Sequence, residues 1–259
     1  MGTSSLYHGL KKSALLPSDY VEGEDSSVAL PLEIPEEQPA TETQQPTIGG
    51  AKHSLTRSMG NRKYIRRAIR TYVSALGGHE KAAKQVRAAR RVTSQMVVMF
   101  TGGVDTVRGH LEERGIRIEN RSIKEICREI CYSLLLSGAT REESVVNCAL
   151  IETFDAFAEN EGIADLTWEN MSEPLLRKLE CLFISNAIVS KLLNDASLGM
   201  IRKAQTTVEY LKAEKDIKDI VNDVVTLHAP DFLNQTNSTN DVEQLVHDLY
   251  DRCYQILED

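Results

Sequence analysis

The chain has 259 residues, a net charge of −8 and 41% hydrophobic residues, so it is long and apolar enough to form a sizeable core. Its five cysteines are odd in number and lie within helical apolar patterns, which favours reduced core thiols over a disulfide framework. No apolar run is long enough to span a bilayer, and the first residues match neither an export signal nor the myristoylation pattern. We therefore expect a cytoplasmic protein.

Charge is divided unevenly along the chain. The net charge is −6 over residues 1–50, +11 over residues 52–91 and −13 over residues 92–259. Five of the seven prolines also fall within the first fifty residues. A segment of this composition buries too little apolar surface to offset its ordering entropy. We predict that residues 1–60 form a disordered N-terminal tail.

The tail begins with a chemically distinctive end, Met1-Gly2-Thr3-Ser4-Ser5. An initiator methionine is trimmed readily when the second residue is small. Gly2 would then carry a free α-amine with a pKa of about 8, which is partly neutral and nucleophilic at working pH. On local chemistry alone, two interpretations stay open: an ordinary disordered terminus, or an end that is presented to a partner.

The basic region predicts two helices between residues 61 and 101. Apolar residues from Ile65 to Val73 recur at helical spacing, and Gly77-Gly78 is a plausible helix end. A second helix is expected from about His79 to Thr101. Eight cations on these helices form a candidate basic patch: Arg62, Lys63, Arg66, Arg67, Arg70, Arg87, Arg90 and Arg91.

Three kinds of partner fit this basic patch. The phosphates of a nucleic acid match its charge. However, Tyr64 and Tyr72 are the only aromatic rings nearby, so bases have little to stack on. The acidic part of this chain is a second partner, and an acidic partner protein is a third. We favour the intramolecular or protein contacts over nucleic acid.

From residue 104 onward the pattern is helical, and most predicted helices have a recognisable start. Ser122 with Glu125 and Thr140 with Glu143 read as capping boxes. The predicted starts are Val104, Ser122, Thr140, Glu173-Pro174, about Ala204 and Asp241, with a short turn at Thr167. We expect Pro230 and residues 234–240 to form the last loop.

The expected fold class is therefore all-α, with a single helical domain of about eight helices at residues 61–259. Basic helices at 61–101 precede an acidic helical body at 104–259. The helix that starts at Glu173-Pro174 is hydrophobic around much of its circumference, which predicts a central position.

No catalytic or metal-binding constellation stands out in the sequence. The six histidines are scattered, and Cys127 and Cys131 share a helix face without a second ligand pair, which favours core packing. Gly102-Gly103 lacks the flanking residues of a phosphate-binding loop. We expect no enzymatic activity, no metal and no cofactor.

Six short segments follow one another in an order typical of a known family. They are Met1-Gly2-Thr3-Ser4-Ser5, Arg66-Arg67-Ala68-Ile69-Arg70-Thr71-Tyr72-Val73, Gly77-Gly78, Ala88-Ala89-Arg90-Arg91, Leu150-Ile151-Glu152-Thr153 and Leu192-Leu193-Asn194-Asp195. With its acidic helical body, the chain resembles the QatB family of the bacterial Qat anti-phage defence system. The resemblance spans most of the chain.

The resemblance implies partners for this chain. Family members are encoded beside an ATPase (QatA), a QueC-like enzyme of 7-deazaguanine chemistry (QatC) and a TatD-like nuclease (QatD). QueC-like enzymes activate a carboxylate with ATP and pass it to an amine. The resemblance thus implies that Gly2 is the amine acceptor for QatC and that Thr3, Ser4 and Ser5 enter the active-site channel of QatC. It also implies that the helical body supplies the surface to which QatC binds. The alternative function is a nucleic-acid-binding adaptor that brings DNA to the nuclease. No membrane partner is expected.

Overall fold

The computed structural model describes residues 46–259, apart from Gly60, Glu119, Glu161, residues 164–165, 204–205 and 236–240, and the side chains of 197–199 and 201–203. The predicted tail up to residue 45, including its Gly2 end, lies outside the described residues. The described residues form one compact unit.

The fold of the described residues is all-α, as predicted, and these residues form no strand. Ten α-helices follow one another: α1 (Ile48–Arg57), α2 (Arg62–Ala75), α3 (His79–Gln85), α4 (Arg87–Phe100), α5 (Val104–Glu113), α6 (Ile123–Leu134), α7 (Arg141–Ala158), α8 (Glu173–Lys203), α9 (Thr207–Leu233) and α10 (Val242–Glu258). A short 3₁₀ turn at Trp168–Asn170 precedes α8. No helix in the described part of the chain is both long and apolar enough to cross a bilayer.

The long helix α8 is central, as its hydrophobicity predicts. It packs against α1, α4, α7 and α9, while α10 packs against α2, α3, α4 and α9. Phe183, Ile184 and Ile188 on α8 are completely buried. The two helices α8 and α10 therefore connect the basic N-terminal helices to the acidic remainder of the fold.

Several helix starts agree with the sequence signals. The Ser122 hydroxyl accepts a hydrogen bond from the Glu125 N–H at 3.3 Å, and the Glu125 carboxylate accepts one from the Ser122 N–H at 3.0 Å. This is the predicted capping box. Thr140 caps α7 through the N–H of Glu143, but the Glu143 carboxylate binds the N–H of Ala139 instead, so only half of that box forms.

Three local predictions are wrong. Residues 48–57 form α1 rather than part of the predicted disordered tail, because Ala51 and Leu55 bury one face of that segment. The helix expected from His79 to Thr101 breaks at Val86 into α3 and α4. Pro230 lies inside α9 rather than in the loop, where buried Ala229 and Leu233 pack its last turn into the core. The first two differences explain why ten helices form where about eight were expected.

The break at Val86 has a clear physical basis. The Val86 side chain is buried, and its backbone leaves the helical region at φ −102° and ψ 44°. A new helix start exposes N–H groups that need acceptors. The Glu142 carboxylate supplies one, since it accepts a hydrogen bond from the Ala88 N–H at 2.7 Å.

Candidate functional site

The cations of the predicted basic patch lie on two helices with different neighbours. Five of them are exposed on α2, which packs against α1, α9 and α10: Arg62, Lys63, Arg66, Arg67 and Arg70. The other three, Arg87, Arg90 and Arg91, lie on α4, which packs against α5, α7, α8 and α10. We call the first group the α2 face.

Contacts with the acidic body account for only part of the patch. Arg62 forms a 2.9 Å ion pair with Asp223 on α9, and Arg91 lies 3.7 Å from Glu143 on α7. Both arginines are more than half exposed, so these pairs contribute little stability. Within the described residues, the other cations of the patch form no ion pair: Lys63, Arg66, Arg67, Arg70, Arg87 and Arg90. Most of the positive charge therefore faces outward.

The α4 cations line a cleft of about 620 Å³, which none of the described α2 cations lines. We call it the basic cleft. Its lining residues belong to α4, to the C-terminal ends of α5 and α6, and to the N-terminal end of α10. Five positively charged or protonatable side chains contribute to it: Arg87, Arg90, Arg91, His110 and Arg114. Glu243 is the only carboxylate among its described lining residues.

The geometry of α4 and of the turn after it explains this arrangement. Arg87, Arg91 and Val98 fall on one face of α4 because residues four and seven apart point in similar directions. Gly102 and Gly103 then turn the chain with φ of +89° and +81°, which L side chains rarely adopt. The turn lays α5 against α4 and brings His110 and Arg114 to the cleft.

The cleft combines an unsatisfied donor with an apolar floor. The Nε atom of Arg90 is buried and has no hydrogen-bond partner among the described residues. Val98 is 54% exposed, and Met99, Leu134 and Val242 also line the cleft. The site can therefore offer charge-assisted hydrogen bonds and an apolar contact surface to the same ligand.

A family model described as "Qat anti-phage system associated protein QatB" matches residues 77–257. The chain belongs to the QatB family. All described lining residues of the basic cleft lie within the matched region, whereas the α2 face precedes it. No curated protein and no solved structure matched this QatB-family protein.

Sequence patterns revealed only the α4 part of the basic cleft. His110, Arg114 and Val242 come from helices that follow later in the chain, so their convergence depends on tertiary packing. Val98 could have been placed beside the α4 arginines from helical spacing alone. The other predicted site residues, Gly2, Thr3, Ser4 and Ser5, lie outside the described residues.

The cysteines, histidines and carboxylates outside the basic cleft are the remaining candidate groups for a site. No group of three or more described histidine, cysteine, aspartate or glutamate residues is arranged to hold a metal. Cys127, Cys131 and Cys253 are buried, as expected for core thiols, but Cys148 is exposed, so the prediction of five core cysteines is wrong at that position. Burial raises the pKa of Cys127 to about 12 and that of Cys131 to about 11.

Proposed function

We propose that this QatB-family protein is a non-enzymatic, cytoplasmic component of the Qat anti-phage system. In this proposal a QueC-like partner binds and modifies the N-terminus, and the helical body docks that partner. The observation that carries the proposal is the family match over residues 77–257, because the family is described as associated with the Qat system. The ATPase and the nuclease are further partners of the same assembly.

The proposed modification is an acyl transfer to the Gly2 amine. After removal of Met1, the neutral amine attacks the ATP-activated carboxylate of a 7-deazaguanine compound. An amide bond forms, the activating group leaves, and the amine loses one proton to solvent. The small side chains of Thr3, Ser4 and Ser5 suit passage through a narrow channel. A free glycine amine is unhindered and partly neutral near pH 8, which favours this role.

Intact-mass spectrometry tests this proposal. The protein is co-expressed with the QueC-like enzyme, and the N-terminal peptide is then sequenced by fragmentation. We expect a mass increase on Gly2. Gly2→Glu should abolish it, because a large second residue keeps Met1 in place, whereas Gly9→Glu should keep it. An unmodified Gly2 beside a partner that demonstrably consumes ATP and its small-molecule substrate would refute the proposal.

The α2 face favours one alternative function, a nucleic-acid-binding adaptor. Its Lys63, Arg66, Arg67 and Arg70 are exposed and free of ion pairs within the described residues. A titration with duplex DNA over a range of salt concentrations discriminates the two functions. Affinity that falls steeply with salt and is lost in Arg66→Glu/Arg70→Glu supports the adaptor, because each phosphate contact releases counterions. Weak binding that is insensitive to salt excludes it.

A further inference from the structure

We propose that the basic cleft binds an acidic segment of a partner protein, with its arginines holding carboxylates and its floor holding an apolar side chain. This binding site is separate from the N-terminal modification proposed above and does not depend on it. The proposal follows from the charge, the unsatisfied donor and the apolar floor of the cleft.

The positive charge of the cleft favours an anionic ligand. Four arginines line it, and Glu243 is the only described carboxylate among the lining residues. Of the four, Arg91 alone has a described ion-pair partner, Glu143, and that carboxylate belongs to α7 rather than to the cleft lining. Cations held this close repel one another, so a ligand that brings negative charge is stabilised on binding.

Arg90 indicates the kind of anion. Its Nε–H is buried and has no partner among the described residues, and an unsatisfied buried donor is destabilising. The Nε–H and Nη–H groups of a guanidinium form a planar fork that matches the two oxygens of a carboxylate. A glutamate or aspartate side chain of the ligand is therefore the anion that suits the arginines lining this cleft.

The floor indicates a peptide rather than a nucleic acid. Val98 is 54% exposed and Val242 is half-buried, and both line the cleft together with the core residue Met99. Apolar surface that is rimmed by charged residues is typical of protein-binding sites. A phosphate backbone would leave this floor uncovered, and no described tyrosine, phenylalanine or tryptophan lines the cleft to stack on a base.

Fluorescence anisotropy with the full-length protein tests the proposal. The probe is a fluorescein-labelled peptide, Glu-Glu-Leu-Glu-Glu-Leu-Glu, and its control is the same peptide with glutamine in place of every glutamate. At physiological salt we expect the acidic peptide to bind at least about tenfold more tightly than the glutamine peptide. Val98→Ser should weaken binding of the acidic peptide, because it removes apolar contact on the floor.

Matched double variants locate the binding. Arg90→Gln/Arg114→Gln should weaken binding about tenfold or more, whereas Arg117→Gln/Arg128→Gln, which removes two exposed arginines outside the cleft lining, should change it less than about twofold. Circular dichroism confirms that each variant is folded. Equal losses in both double variants, or equal affinity for the two peptides, would overturn the proposal. Single-stranded DNA that binds more tightly than the peptide and depends on Arg90 and Arg114 would also overturn it.

Discussion

The hydroxyl of Tyr72 on α2 donates a hydrogen bond to the carboxylate of Asp195 on α8. Lys191 also binds that carboxylate at 2.8 Å, and Lys52 of α1 lies 3.8 Å from it. Burial acts to raise the pKa of Asp195, but hydrogen bonds from Lys191 and Tyr72 outweigh it and hold the pKa below its usual value. Asp195 thus connects α1 and α2, which precede the matched family region, to the central helix.

Tyr72→Phe should lower the free energy of unfolding by about 1–3 kcal/mol, because it removes a hydrogen bond to a partly buried charge. Urea denaturation monitored by circular dichroism measures this change in the free energy of unfolding. Tyr64→Phe on the same helix is the control, since Tyr64 is 57% exposed and should change the stability by less than about 0.5 kcal/mol. Equal effects of the two substitutions would contradict a specific role for the Asp195 contact.

Local signals predicted the parts of the fold that depend on local chemistry. The apolar stripe of α2 from Ile65 to Val73 is buried as its spacing indicates, and Ser122 caps α6 through the predicted pair of hydrogen bonds. These features need only neighbouring residues along the chain. Helix caps and amphipathic faces are therefore the features that local sequence patterns predict best.

Features that depend on distant residues could not be predicted in this way. The break at Val86 is stabilised by Glu142, which lies 54 positions after Ala88. The basic cleft combines side chains of α4 with Arg114 and with Val242, and no local pattern connects these positions. Its charge was visible in the sequence, but its shape and its unsatisfied donor arise only from packing.

Substitution by alanine should change the stability of the fold in opposite directions at Gly103 and at Gly109. Gly103 has φ of +81°, which L side chains rarely adopt, so Gly103→Ala should destabilise the fold by about 1–2 kcal/mol. Gly109 lies within α5 with open space around it, so Gly109→Ala should stabilise by roughly 0.5–1 kcal/mol. Thermal unfolding of both variants measures the difference. The same sign of change in both would contradict the role assigned to the Gly102-Gly103 turn.

Alkylation of the native protein should modify Cys148 first. Its side chain is exposed, whereas burial raises the pKa of Cys181 to about 11 and that of Cys253 to about 12, which keeps both thiols protonated near neutral pH. Brief treatment with iodoacetamide at pH 8, followed by peptide mass spectrometry, measures the sites. Cys148→Ser should remove nearly all rapid labelling. Equally fast labelling of Cys253 would show that α10 opens readily.

Glu180 on α8 should make stability depend on pH. Its side chain is completely buried, one oxygen lies 2.9 Å from Arg177 Nη1, and the other has no partner among the described residues. Burial raises the pKa of Glu180 to about 7 although the charge of Arg177 acts to lower it. The folded state therefore holds this proton more tightly than the unfolded state, whose pKa is about 4.5.

Because the folded state holds the Glu180 proton more tightly, the protein should lose stability as the pH rises. Between pH 4.5 and 7 the folded state binds more protons, so the contribution of Glu180 to stability falls as the pH rises and levels off above about 7. Glu180→Gln cannot ionise, so its stability relative to the parent should rise across that window, by roughly 3 kcal/mol in total. Urea denaturation at several pH values measures this difference. Glu152→Gln, which replaces an exposed glutamate on α7, is the matched control variant. A Glu180→Gln difference that falls toward pH 8 would instead show that the ionised pair with Arg177 stabilises the fold.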